Sequence, residues 1–184
     1  MLAWAGQIAP RVDTAILGAG RAWGERAGEP WAEADELLQV NLRATLAIVS
    51  ALVPEMRRRG AGQIALMASL NAWHGMARTP VYGATKAALK NYGEALRAQL
   101  APEGIRVSVV LPGFVRTPMS ERYPGPRPFL VEADAAARRI VRGLERDEAR
   151  IAFPWPLALG MQLLAALPAP LAQWLLRRLG FSAS

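Results

Sequence analysis

Hydrophobic and polar positions follow two rhythms along this chain. Four short apolar runs, at residues 14–17 (TAIL), 63–67 (QIALM), 106–111 (RVSVVL) and 150–153 (RIAF), each lead into a glycine, a proline or small residues. Runs that lack polar alternation suit strands buried on both faces of a parallel sheet. Between them lie stretches of helical spacing over about residues 34–59, 80–100 and 132–147. The second of these opens with Pro80, and the third carries Glu132 and Asp134 in its first turn, both features of helix starts. Strands that alternate with helices predict an α/β fold built on a doubly wound parallel sheet.

The pattern changes at the end of the chain. Residues 151–176 hold no charged side chain over 26 positions, and Arg177 and Arg178 follow. Pro154, Pro156, Pro168 and Pro170 divide this tail and leave 11 proline-free residues at 157–167, short of the roughly 20 that a bilayer span requires. The tail therefore reads as two short helices, an extension over 154–184 of a domain over 1–153. Three uses are open to it: packing on the domain, covering a cleft, or peripheral contact with a membrane surface with its arginines at the headgroups.

Composition narrows the class. With 184 residues, 52% of them hydrophobic and 20% charged, at mean hydropathy +0.13, the chain reads as a soluble globular domain with room for its own core. The absence of cysteine excludes disulfides, thiolate metal sites and a Cys nucleophile, and fits a reducing, cytoplasmic setting. His74 is the only histidine, so no multi-His metal site is expected, and no metal is assigned. The net charge of +7 is almost all arginine, Lys86 and Lys90 being the only lysines. Arg57, Arg58 and Arg59 close one helix, and Arg138, Arg142, Arg146 and Arg150 recur at every fourth position of another. No aromatics interleave with them, and Asp134, Glu145, Asp147 and Glu148 break the field, so they read as a solvated face and no nucleic-acid partner is expected. Residues after Met1 lack a basic region before an apolar run, so no signal peptide is expected.

The candidate chemistry centres on Tyr82 and Lys86. Four residues apart, they share one face of a helix. An ammonium about 4 Å from a phenol, at an effective dielectric of about 20, favours the phenolate by about 4 kcal/mol. That is about three pKa units, enough to let a tyrosine exchange protons near neutral pH. A surface pair without function has the same spacing, so the surrounding residues decide. Ser69 closes the apolar run 64–69, thirteen positions before Tyr82; Asn41 lies in Val40-Asn41-Leu42; and Pro112-Gly113-Phe114-Val115-Arg116-Thr117 follows the next run.

With these residues in this order, the chain resembles the short-chain dehydrogenase/reductase family over about residues 12–153. The resemblance implies a Rossmann-like fold and hydride transfer between NAD or NADP and a ketone or secondary alcohol. It implies Tyr82 as the general acid/base, Lys86 as the residue that lowers its pKa and binds the nicotinamide ribose, and Ser69 as the holder of the substrate oxygen. Asn41, at a helix irregularity in the family, is then expected to order a proton-relaying water. Gly18, Ala19 and Gly20, with Pro112, Gly113, Val115 and Thr117, are expected along the cofactor, Thr117 at the nicotinamide carboxamide. Trp73 and His74 fall where the family lines its substrate pocket. The apolar tail suggests a bulky apolar substrate, and the helices starting near Ala34 and Pro80 suggest a homo-oligomer.

The family pattern is also broken in two places. Gly18-Ala-Gly20 through Gly24 is spaced unlike a dinucleotide fingerprint, and Leu17 and Gly18 replace the two asparagines usual in the loop it resembles. Only 17 residues precede Gly18, so the phosphate-binding first part of the family fold is expected to be missing. The first strand would then form an exposed apolar edge. Two readings follow: a partial nicotinamide-dependent oxidoreductase with little activity, or a non-catalytic scaffold that associates through its helices and tail.

Overall fold

The computed structural model describes residues 7–22, 31–123 and 125–181. The expectation of no signal peptide at Met1 and the glycine at position 24 fall outside them. Four strands, β1 (Thr14–Leu17), β2 (Gly62–Met67), β3 (Ile105–Pro112) and β4 (Arg150–Phe153), form one parallel sheet in the order β1-β2-β3-β4. The apolar runs thus become strands, with β2 and β3 each one residue longer at the start because Gly62 and Ile105 pair with each other.

Helix α1 (Trp31–Arg59) begins three residues earlier than its periodicity predicts and ends at Gly60, whose φ of 65° lets its N–H reach back to the carbonyls of Met56 and Arg57. It is long and apolar enough to cross a membrane by length and composition, yet here Val49, Leu52, Val53 and Met56 pack it along the sheet. Helix α2 (Pro80–Leu100) lies on the same face, where Leu96 and Leu100 meet Ile64, Leu66 and Val107. After the short α3 (Pro118–Glu121), α4 (Ala133–Glu145) covers the opposite face, placing Ala136 and Leu144 against Ala65, Val110 and Ile151. Helices on both faces make the sheet doubly wound. Arg138, Arg142 and Arg146 of the arginine series stay exposed, and Arg150 pairs with Glu94.

Among the described residues β1 pairs only with β2. Ile16, on the α4 face, is 51% exposed. It lines a groove of about 480 Å³ with Thr14, Gln63, Arg106, Val141, Leu144 and Glu145. The apolar tail forms α5 (Trp155–Ala166) and α6 (Ala169–Arg178), broken at Leu167 and Pro168. Their inner residues Ala158, Met161, Leu164, Ala172 and Leu176 join Leu70, Met76, Leu89 and Leu111 in one apolar cluster.

Candidate active site

Ligands of open parallel sheets bind beyond the carboxyl ends of the strands, and the residues singled out by sequence gather there. Ser69 lies two positions past the end of β2 and caps a short turn, Leu70–Ala72, its Oγ accepting from the N–H of Asn71 at 3.2 Å. That bond occupies a lone pair and leaves the Ser69 hydroxyl proton for an acceptor elsewhere. The Pro112 carbonyl is 3.5 Å away, a long contact. The other acceptor is the oxygen of Tyr82.

Pro80 opens α2 and places Tyr82 in its first turn, with Lys86 one turn further on. The Lys86 Nζ stands 5.6 Å from the centre of the Tyr82 ring. The pair meets as its spacing predicts, but its electrostatics differ from the simple expectation. Burial pushes the Tyr82 phenol above its ordinary pKa, and the hydrogen bond from Ser69 offsets only part of that rise. Lys86 is 5% exposed and donates to the Met67 carbonyl at 2.7 Å. Desolvation lowers its own pKa to about 8. The expected fall of the tyrosine pKa is thus corrected to a rise, because burying both groups penalises the ionised form of each.

Asn41 is fully buried in a π-helical turn of α1, Leu38–Arg43, a wide turn that commonly marks functional positions. Its side chain brackets one residue of the loop after β1: Oδ1 accepts from Arg21 N at 2.7 Å and Nδ2 donates to Arg21 O at 2.9 Å. Nδ2 also lies 3.3 Å from Thr85 Oγ1, on α2 between Tyr82 and Lys86. The bracket brings the Gly18-Ala19-Gly20 loop to the site. A side chain on Gly20 would place its Cβ 3.4 Å from Asn41 Oδ1 and 3.5 Å from Lys86 Nζ, so glycine leaves a recess beside the ammonium. Ala19 is exposed, and Gly18 faces Met67.

The turn after β3 closes the other side. Gly113 N–H donates to Phe153 O at 2.8 Å, and a Cβ there would meet Leu157 at 2.8 Å, Pro154 at 3.2 Å and Leu70 at 3.3 Å. The tail helix α5 therefore touches both this turn and the loop that carries Ser69. Val115 pairs with Val131 in a one-residue parallel bridge. Thr117 caps α3 in a reciprocal arrangement with Ser120, so its hydroxyl serves the backbone. Trp73 and His74 are half-buried in the Ser69–Tyr82 connection.

One residue of the site belongs to no motif that the sequence singles out. Asn71 donates its backbone N–H to Ser69, and its Nδ2 donates to Thr79 Oγ1 at 2.9 Å, tying the serine loop to the residue before Pro80. Its only signal is a polar side chain two positions after a candidate catalytic serine.

Comparison with known proteins places this geometry. Residues 1–126 match the model of the family described as short chain dehydrogenase. An uncharacterized oxidoreductase of Myxococcus xanthus is 34% identical over 150 residues, which cover 82% of this chain and 59% of that protein. One from Mycobacterium tuberculosis is 30% identical, with 85% and 63% covered, so the chain spans about three-fifths of the length of these relatives. Among solved structures, a short chain dehydrogenase from Burkholderia cenocepacia in complex with NADP superposes with TM-score 0.78 at 28% identity, over 97% of this chain and 75% of that one.

Proposed function

The chain belongs to the short-chain dehydrogenase family, and we propose that its Ser69, Tyr82 and Lys86 carry out hydride-transfer chemistry between NAD or NADP and the ketone or secondary alcohol of a small apolar molecule. The observation that carries this reading is the meeting of the three side chains at one strand end, with Ser69 hydrogen-bonded to Tyr82 and Lys86 against the tyrosine ring.

The residues fit a nicotinamide nucleoside. The recess at Gly20 beside Lys86 and Asn41 would take the ribose, with Gly18 and Ala19 along the loop. The turn through Pro112, Gly113, Val115 and Thr117 would flank the nicotinamide. The bound dinucleotide supplies or accepts the hydride. In the reducing direction Tyr82 passes its phenolic proton to the substrate oxygen, and its raised pKa keeps that proton in place at neutral pH. Ser69 donates to the same oxygen as negative charge develops there, and then to the tyrosinate left behind. Lys86 stabilises that tyrosinate by its charge. Asn41 holds the glycine loop in register, and a water on its π-turn relays the replacement proton. The NADP complex of the relative from Burkholderia cenocepacia supports NADP as the first cofactor to try.

In the same reading residues 1–153 form the catalytic unit and 154–184 an apolar extension that borders the substrate. Copies associate through α1 and α2, where a groove of about 220 Å³ includes Val53, Pro54, Tyr92 and Leu96. The tail meets a membrane surface. The scaffold alternative has less support, since it assigns no use to the convergence of Ser69, Tyr82 and Lys86.

The test is a titration of the chain with NADPH and NADH, followed by nicotinamide fluorescence, beside turnover of a panel of alkyl and aryl ketones. Saturable binding in both wild type and Tyr82→Phe, with turnover only in the wild type, is the expected result. A folded chain that binds neither cofactor, or undiminished turnover in Tyr82→Phe, would overturn the proposal.

A further inference from the structure

Helix α5 is apolar apart from the exposed Gln162. Ala158, Met161 and Leu164 face the core, while Trp155, Leu159 and Leu163, spaced four apart on the outer side, are 74%, 49% and 60% exposed. Helix α6 repeats the arrangement, with Ala172 and Leu176 inward and Leu171 and Trp174 outward at 47% and 49% exposure. Scattered exposed leucines need no explanation, but five large apolar side chains on two consecutive short helices do.

Charge indicates what covers them. No acidic residue follows Glu148, whereas Arg150, Arg177 and Arg178 do. Arg177 and Arg178 occupy the last turn of α6, and the Arg178 guanidinium lies 5.5 Å from the centre of the Trp174 ring. If a second copy covered this surface, it would bring a further pair of arginines with no acidic residue in the segment to receive them. A phosphate headgroup supplies the opposite charge, and tryptophan beside arginine suits the boundary between acyl chains and headgroups.

We infer that the outer faces of α5 and α6 dock on the surface of an anionic lipid bilayer, with Trp155, Leu159, Leu163, Leu171 and Trp174 in the acyl boundary and Arg177 and Arg178 at the phosphates. The inference deepens the membrane-surface part of the proposed function and does not depend on hydride transfer. Because the inner face of α5 rests on Leu70 and Gly113, docking sets the candidate site next to the lipid.

The experiment is co-sedimentation of the full chain with vesicles of phosphatidylcholine alone and of phosphatidylcholine mixed with phosphatidylglycerol. Salt is varied, and sedimentation equilibrium without lipid runs alongside. Binding is expected to be confined largely to the anionic vesicles and to weaken with salt. Arg177→Gln and Arg178→Gln should each weaken it about fivefold. The double variant Leu159→Gln/Leu163→Gln should weaken it on the order of a hundredfold, and both positions are exposed, so the fold survives. Equal binding to both vesicle types, no binding to either, or binding unchanged in the double variant would overturn the inference. So would self-association in lipid-free solution that the double variant abolishes, since that result makes the face a protein interface. Nicotinamide binding by the same samples reads the catalytic proposal separately.

Discussion

The Lys86 ammonium, 5.6 Å from the centre of the Tyr82 ring, is tied to the Met67 carbonyl at 2.7 Å and so is anchored to the end of β2. Burial lowers its pKa from 10.5 to about 8. Between those values the unfolded chain holds a proton that the folded chain has released, so stability rises with pH across that window and is flat below it. Lys86→Met removes this dependence. Thermal unfolding of the two proteins across pH 8 to 10.5 should show the wild type gaining stability relative to the variant. Parallel curves would mean that the ammonium is hydrated in the folded chain.

Ser69 holds its hydroxyl between the Asn71 N–H and the Tyr82 oxygen. Ser69→Ala removes the hydrogen bond that offsets the burial of Tyr82 and, in the proposed chemistry, the donor to the substrate oxygen. Turnover should fall about 10²- to 10³-fold with nicotinamide binding unchanged. Steady-state kinetics with parallel cofactor titration check this, and a loss confined to cofactor affinity would contradict it.

Asn41 closes two hydrogen bonds on one backbone residue twenty positions away. Asn41→Ala leaves the Arg21 N–H and C=O without those partners and should cost about 2 kcal/mol. Asn41→Asp keeps an acceptor for Arg21 N but sets a buried carboxylate oxygen against the Arg21 carbonyl, so its cost should be larger. Urea denaturation measures both, and amide exchange at Arg21 should speed up in the alanine variant.

Gly93 lies where α2 meets the sheet. A Cβ there would stand 2.6 Å from Val109 Cγ2 and 2.9 Å from Leu66 Cδ1. Alanine gains about 1 kcal/mol of helix propensity, but overpacking typically costs about 1–3 kcal/mol, and the β-branched Val109 has little rotamer freedom to withdraw. Gly93→Ala should therefore destabilise by about 1 kcal/mol net in chemical denaturation. A more stable variant would show that α2 can lift off the sheet without loss.

Much of this molecule is legible in its pattern of residues. Thr14–Leu17 and Arg150–Phe153 become strands with the bounds their apolar runs indicate, and Pro80 opens α2. The prolines of the tail divide it into two helices. The spacing of Tyr82 and Lys86 brings them together because helical geometry is local. Less legible is Thr117, whose hydroxyl is taken up by its own cap, since cofactor contact and capping favour the same residue type.

The sequence by itself determined the order of strands and helices, the sharing of one helical face by Tyr82 and Lys86, and the apolar character of the tail. Each depends on the period of the backbone and on neighbours within a few positions. Only the tertiary structure decided that Asn41 clasps Arg21, that Lys86 is anchored to Met67, that burial raises the Tyr82 pKa instead of lowering it, and which side of α5 faces outward. Those outcomes depend on which distant segments exclude water from a group, and no spacing along the chain encodes that exclusion.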